Sequence, residues 1–124
     1  MRLILLLFVL AFFGCYKTER YCKSFQTGSF YGEVVINGTV YKSTFERNDS
    51  MQVEIYRGKI HASHVRWIND CEAIFKTINP KNMAEQKDIH LKILTTTDSS
   101  YTYEYSYVGE TRKQKGIAYK ATKP

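Results

Sequence analysis

The sequence predicts an all-β domain: a single antiparallel meander of about eight short strands that forms a closed or partly open barrel or, alternatively, a β-sandwich. Three observations support this fold class. The chain is 15% aromatic, with ten Tyr and seven Phe but only two Pro, a composition that favours strands. Apolar and polar residues alternate over many short runs, as in half-buried strands. Turn-forming clusters separate these runs, and closure into a barrel would remove exposed sheet edges.

The first half of the chain contains four predicted strands. Residues 30–36 alternate and end at Asn37-Gly38, the strongest short signal for a hairpin, because both turn residues must take positive φ. The second strand, residues 39–47, ends at a turn-forming cluster at 48–50. The third strand has one clearly apolar face, made of Met51, Val53 and Ile55. After a turn at 57–59, the fourth strand covers residues 60–68.

The second half contains four more predicted strands. Residues 71–78 form the fifth, and the polar segment 79–88, with Pro80, is the longest break and has room for one helical turn. The sixth strand is 89–93, the seventh 101–107 and the eighth 115–121. No convincing helical pattern is found between them, so an uninterrupted meander is expected.

The first fifteen residues predict export. Arg2 is followed by an unbroken apolar run over residues 3–13, and then by Gly14 and Cys15. This is the anatomy of a signal peptide covering residues 1–14. The run is too short for a membrane span, which needs about 20 apolar residues.

The leader resembles a bacterial lipoprotein signal, and this resemblance implies cleavage after Gly14 and acylation of Cys15, with palmitate among the acyl chains. Tyr16 stands where inner-membrane retention would require Asp, which implies an outer-membrane lipoprotein. A multiply acylated cysteine is a stable tether to the bilayer. Two alternatives stay open: ordinary secretion with Cys15 free or disulfide-bonded, and an unprocessed N-terminal strand.

The three cysteines suggest one disulfide. If Cys15 carries lipid, Cys22 and Cys71 are left as a pair in an oxidising compartment. A bridge between them would close a loop of about 50 residues and stabilise the fold by roughly 4 kcal/mol. Two buried free thiols are the alternative. A metal or redox pair would need closer spacing or nearby histidine ligands.

Length and charge limit the organisation and the partners. Three segments are expected: the signal peptide 1–14, a lipidated N-terminus and spacer 15–27, and the β-meander domain 28–124, which has the size of one domain. The net charge is +6, or +5 without Arg2. The basic residues are scattered. Their one tight group, Arg112, Lys113 and Lys115, is predicted to lie in a solvated turn. No nucleic-acid partner is expected, and the protein is expected to be a monomer.

Three segments carry a resemblance to a family of small uncharacterised bacterial lipoproteins: Cys22 to Phe30, Trp67 to Glu72, and the Asn79-Pro80-Lys81-Asn82 loop. The resemblance covers nearly all of the mature chain and implies a lipocalin-like β-meander without assigned catalytic residues. Some members of this family carry the label of a type II topoisomerase. That activity does not fit a chain with a leader peptide and no phosphate-binding loop.

A row of tyrosines is the most unusual local feature. Period-two spacing puts four rings on one face of one strand, where they would form either a wall of a ligand pocket or ordinary core. Trp67, close to Cys71, packs in the core or stacks on a ligand. The candidate ligand-facing residues are therefore Trp67, Tyr101, Tyr103, Tyr105 and Tyr107.

No pattern in the sequence indicates catalysis. His61 and His64 are three residues apart, so in a strand their rings point to opposite faces and do not share a metal. Asp70 and Glu72 are two carboxylates at a turn, and the serines lack the context of a nucleophile elbow. No catalytic, cofactor-binding or metal-binding residue is predicted, and the protein is not expected to be an enzyme.

The function expected from the sequence is therefore that of a membrane-anchored lipoprotein of the cell envelope. Its barrel or sandwich would act as a binding or scaffolding module for a small apolar ligand or an envelope protein. A cavity of a few hundred Å³ would favour the ligand, whereas a filled interior would favour the protein partner. The alternative is an envelope enzyme acting on lipid or glycan through an unrecognised site.

Overall fold

The computed structural model describes residues 20–121. In that part of the chain, a short 3₁₀ helix (Cys22–Phe25) precedes eight strands. The strands are β1 (Gly28–Ile36), β2 (Thr39–Arg47), β3 (Met51–Tyr56), β4 (Lys59–Trp67), β5 (Glu72–Thr77), β6 (Ile89–Thr96), β7 (Ser100–Tyr107) and β8 (Gln114–Lys120). The signal peptide 1–14 and the lipidation site Cys15 lie outside the described residues. Within residues 20–121, no helix is long and apolar enough to cross a membrane.

The eight strands form a closed antiparallel barrel. Each strand pairs with the next in sequence, and β1 also pairs with β8, from Phe30 opposite Lys120 to Val34 opposite Gly116. The predicted all-β meander is confirmed, and its closed-barrel form is observed rather than the sandwich. Closure leaves no unpaired edge between the first and last strands, which protects the sheet from edge-to-edge association.

Two tight hairpins have the predicted turn chemistry. Asn37 and Gly38 have φ of 50° and 81°, and Arg57 and Gly58 have φ of 50° and 76°. Two successive residues with positive φ give the turn a twist that matches that of the flanking strands. Asn37-Gly38 was recognisable from sequence because both residues tolerate this conformation.

The two ends of the barrel differ. The closed end, where β1 begins, is covered by the 3₁₀ helix and also carries the loops 48–50, 68–71 and 97–99. The open end, where β1 ends, carries the hairpins 37–38 and 57–58 and the longer loops 78–88 and 108–113. This geometry follows from the meander, in which successive loops alternate between the ends.

The 3₁₀ helix is tied to the barrel by covalent and polar contacts. Cys22 is bonded to Cys71, with an S–S distance of 2.08 Å, so the predicted disulfide is confirmed. The Gln26 side chain donates a hydrogen bond to the Asp70 carbonyl (3.1 Å), and Arg20 donates one to the Ile93 carbonyl (2.9 Å). The predicted spacer 15–27 thus includes a segment that packs onto the barrel.

Aromatic rings fill the barrel next to the 3₁₀ helix. Phe25 is buried, and its ring centroid lies 5.2 Å from that of Tyr101 and 6.4 Å from that of Phe30. Phe30 in turn stacks on Phe45 at 5.2 Å. Such aromatic contacts add stability beyond the area they bury, so the rings next to the 3₁₀ helix help to stabilise the closed end.

The apolar face of β3 points outward. Val53, Ile55 and the neighbouring Ile60 of β4 are exposed to 38%, 47% and 72%. The polar residues Gln52 and Glu54 line the interior instead. The sequence pattern marked this strand as amphipathic, but its orientation is opposite to the usual apolar-inside arrangement.

Candidate functional site: the barrel cavity

The barrel interior contains a cavity of about 220 Å³. It extends from the middle of the barrel toward the open end, because its lining includes residues close to the open-end hairpins. Its lining residues come from seven of the strands: Val34, Ser43, Phe45, Arg47, Gln52, Glu54, His61, Ser63, Phe75, Ile89, Leu91, Tyr101, Tyr103 and Tyr105. The interior is therefore a pocket with mixed polar and apolar walls.

The aromatic wall of the cavity comes from β7. Tyr101, Tyr103 and Tyr105 alternate inward along the strand, with ring centroids 5.6 Å and 6.1 Å apart in succession. Burial raises the pKa of all three hydroxyls above the usual value for tyrosine. The hydroxyls therefore stay protonated at neutral pH and are available as hydrogen-bond donors.

The remaining aromatic candidates lie away from this cavity. Tyr107 lies beyond the tyrosine wall toward the open end, where the Lys87 ammonium is 5.2 Å from its ring centroid. Trp67, at the end of β4, packs against the core near the closed end. Its indole Nε1 is buried and has no hydrogen-bond acceptor in the part of the chain that the structure describes.

Arg47 forms the floor of the cavity. It is only 4% exposed, and it donates hydrogen bonds to the carbonyls of Phe25 and Gln26, to the Gln52 side chain and to the Tyr101 hydroxyl. Four rings surround its guanidinium, with centroids 5.2 to 5.8 Å from Cζ: Phe30, Phe45, Trp67 and Tyr101. Carbonyls and ring faces thus compensate this buried cation.

Sequence reasoning missed Arg47. Its position in β2 could have revealed it. Arg47 lies two residues after Phe45, so both side chains point to the same face of the strand, the buried one. An arginine on an inward-facing position is expensive to bury without partners. Its partners are Phe25 of the 3₁₀ helix, the following Gln26, Gln52 of β3 and Tyr101 of β7. Of these four, Gln52 alone is close in sequence, so the β2 pattern did not reveal them.

The polar wall of the cavity comes from β2, β3 and β4. The Ser43 hydroxyl donates a hydrogen bond to Glu54 Oε2 (3.1 Å). His61 lies opposite Glu54 in the β3–β4 register, and its Nε2 is 3.2 Å from the Thr77 hydroxyl. His61 Nδ1 is 3.9 Å from a carboxylate oxygen of Glu85 in loop 78–88. This wall places one carboxylate inside the barrel.

Ser43 and His61 both line the cavity, but each bonds to a different partner. Ser43 donates to Glu54 and His61 contacts Thr77, and no hydrogen bond joins His61 to a serine among residues 20–121. His61 faces the cavity whereas His64 is exposed, as their spacing in a strand predicts. No group of three or more His, Cys, Asp or Glu residues within residues 20–121 is placed to hold a metal ion.

The turn carboxylates lie outside the cavity. His90 on β6 is 3.1 Å from Glu72 on β5. A hydrogen bond from Asn69 is the main cause that lowers the Glu72 pKa, with a smaller contribution from the charge of His90. Glu72 is thus held as an ionised partner in a pair of half-buried side chains.

Comparison with protein-family models, with curated proteins and with solved structures gives no match to this chain.

Proposed function

We propose that this protein is an outer-membrane lipoprotein that binds a small molecule in the cavity of its barrel. The observation that carries the proposal is the composition of the cavity: an aromatic wall from β7 faces a polar wall from β2 to β4. Binding sites commonly combine apolar contact area with a few oriented polar groups. A cavity of about 220 Å³ favours a small ligand over a protein partner inside the barrel.

The sequence supports the membrane attachment. The leader 1–14 and Cys15 have the pattern of a lipoprotein signal, and Arg20, near this cysteine in sequence, is bonded to Ile93 at the closed end of the barrel. An anchor at Cys15 would join the domain at this end. The open end, where a ligand would enter, is then the end without the attachment.

Native mass spectrometry of the full-length protein extracted from membranes tests both parts of the proposal. We expect an N-terminal Cys15 with acyl chains and an additional mass from a small molecule that dissociates on unfolding. Recovery of the protein with Met1 intact and Cys15 unmodified would contradict the anchor. Absence of any bound molecule from the protein extracted in this way would contradict the binding role.

A cavity-filling variant locates the bound molecule. Ser43→Leu places extra volume inside the cavity, whereas Thr44→Leu, on the exposed outer face of the same strand, is the matched control. We expect the additional mass to be lost from Ser43→Leu and kept in Thr44→Leu. Equal retention in both variants would show that the molecule binds elsewhere.

A further inference from the structure

Glu54 is the carboxylate that lines the cavity. Five other glutamates form ion pairs with lysine or histidine: Glu33, Glu72, Glu85, Glu104 and Glu110. Glu54 forms none among residues 20–121 and accepts a hydrogen bond from the neutral Ser43 hydroxyl. Within residues 20–121, the Glu54 carboxylate is thus held by a neutral hydroxyl and not by an ion pair.

Arg47, the arginine on the cavity lining within residues 20–121, does not pair with Glu54. Four of the five N–H groups of Arg47 are used by the carbonyls of Phe25 and Gln26 and by the side chains of Gln52 and Tyr101. These bonds hold the guanidinium at the cavity floor, next to the 3₁₀ helix. Glu54 lies further toward the open end, opposite His61.

Aromatic rings share the cavity with this carboxylate. After burial, which is the largest cause, the negative charge of Glu54 further raises the pKa of the Tyr103 and Tyr105 hydroxyls. The Glu54 carboxylate and the Tyr103 and Tyr105 rings therefore border the same part of the cavity. Ring faces attract organic cations, most strongly where water is excluded from the contact.

Resting on the proposed function, we propose that the cavity selects a small organic ammonium, whose cationic group pairs with Glu54 and whose apolar body packs against the Tyr103 and Tyr105 rings. The cavity volume of about 220 Å³ lies below the range of about 300 to 1,000 Å³ typical of drug-sized ligands. The ligand is therefore a single-ring or short-chain amine rather than a lipid.

Isothermal titration of the full-length protein with three probes of similar size tests this inference. The probes are 2-phenylethylammonium, neutral 2-phenylethanol and anionic 3-phenylpropionate, all at neutral pH. We expect the ammonium to bind at least tenfold more tightly than the alcohol, and the carboxylate to bind most weakly. This ranking is measured on the unaltered protein and does not depend on the folding of any variant.

Removal of the charge at Glu54 then tests whether this carboxylate causes the preference for the ammonium. Glu54→Gln keeps the size of the side chain and an acceptor for Ser43, and we expect the preference for the ammonium over the alcohol to disappear. Glu46→Gln, an exposed carboxylate on the outer face of β2, is the control and should keep the preference. Unchanged selectivity in Glu54→Gln would overturn the inference.

The outcomes separate the inference from the proposed function. If the alcohol or the carboxylate binds in the cavity as tightly as the ammonium, the inference fails and the binding role stands. If none of the three probes binds, the inference also fails, and the native mass spectrum alone decides the binding role. Tight binding of the ammonium that depends on Glu54 supports both.

Discussion

The interiors of the two ends of the barrel differ in what fills them. At the closed end, a disulfide, a row of aromatic rings and the buried, hydrogen-bonded Arg47 fill the interior. Toward the open end, Ser43, Glu54 and His61 face a cavity instead of a packed core. The closed end is thus held by covalent, aromatic and cation–ring contacts, whereas the other end carries polar groups that a packed core would exclude.

The largest expected effect is loss of the disulfide that holds the closed end. In the double variant Cys22→Ala and Cys71→Ala, the unfolded chain regains the entropy of a loop with a sequence separation of 49. We expect the free energy of unfolding to fall by about 4 kcal/mol. Urea unfolding of both proteins measures this change. A loss near zero would show that the 3₁₀ helix is held by its other contacts.

Removal of Arg47 should come next. Arg47→Leu leaves the carbonyls of Phe25 and Gln26 without their donors in a buried site, at a cost of about 3 kcal/mol in the free energy of unfolding. Arg66→Leu, on an exposed position of β4, is the control and should change it by less than about 0.5 kcal/mol. Both variants are measured by thermal and urea unfolding. If Arg47→Leu and Arg66→Leu lowered the free energy of unfolding equally, a special role of Arg47 would be contradicted.

The tyrosine wall between the two ends predicts a loss of stability at alkaline pH. Burial raises the pKa of Tyr103 in the folded state, so its contribution is complete below the unfolded pKa of about 10 and falls as pH rises above it. The loss approaches about 1.4 kcal/mol per pH unit for this group until its folded pKa is reached. Urea unfolding across alkaline pH should show a shallower decline in Tyr103→Phe. An identical decline would contradict the assignment.

Replacement of the charged residue in the polar wall, Glu54, by an apolar one should stabilise the protein. Glu54→Leu exchanges a charged side chain on the cavity lining for an apolar one, and we expect the free energy of unfolding to rise by about 1 kcal/mol while ammonium binding is lost. Glu46→Leu, which exposes the new side chain to water, should give no gain. Destabilisation by Glu54→Leu would show that this end also depends on its charge for folding.

The closed end was the more predictable of the two from sequence. The cysteine pair could be assigned by counting, and the strands by alternation and turn residues, because these signals are local. The cavity depends on which face of β3 points inward. Alternation identifies two faces of Met51–Tyr56 but not their orientation, and the apolar residues favoured the opposite choice. Likewise, Arg47 is compensated by carbonyls more than twenty residues away.

The smallest expected effect tests the outward orientation of the apolar residues on β3 and β4. Ile60 on the outer face of β4 is 72% exposed, whereas Leu91 of β6 faces the interior and is 8% exposed. Ile60→Ser removes little buried area, so the free energy of unfolding should change by less than about 0.5 kcal/mol. Leu91→Ala, measured in parallel by urea unfolding, should cost about 2 kcal/mol, because Leu91 already borders the cavity. If Ile60→Ser were as costly as Leu91→Ala, the outward orientation of the apolar residues on β3 and β4 would be wrong.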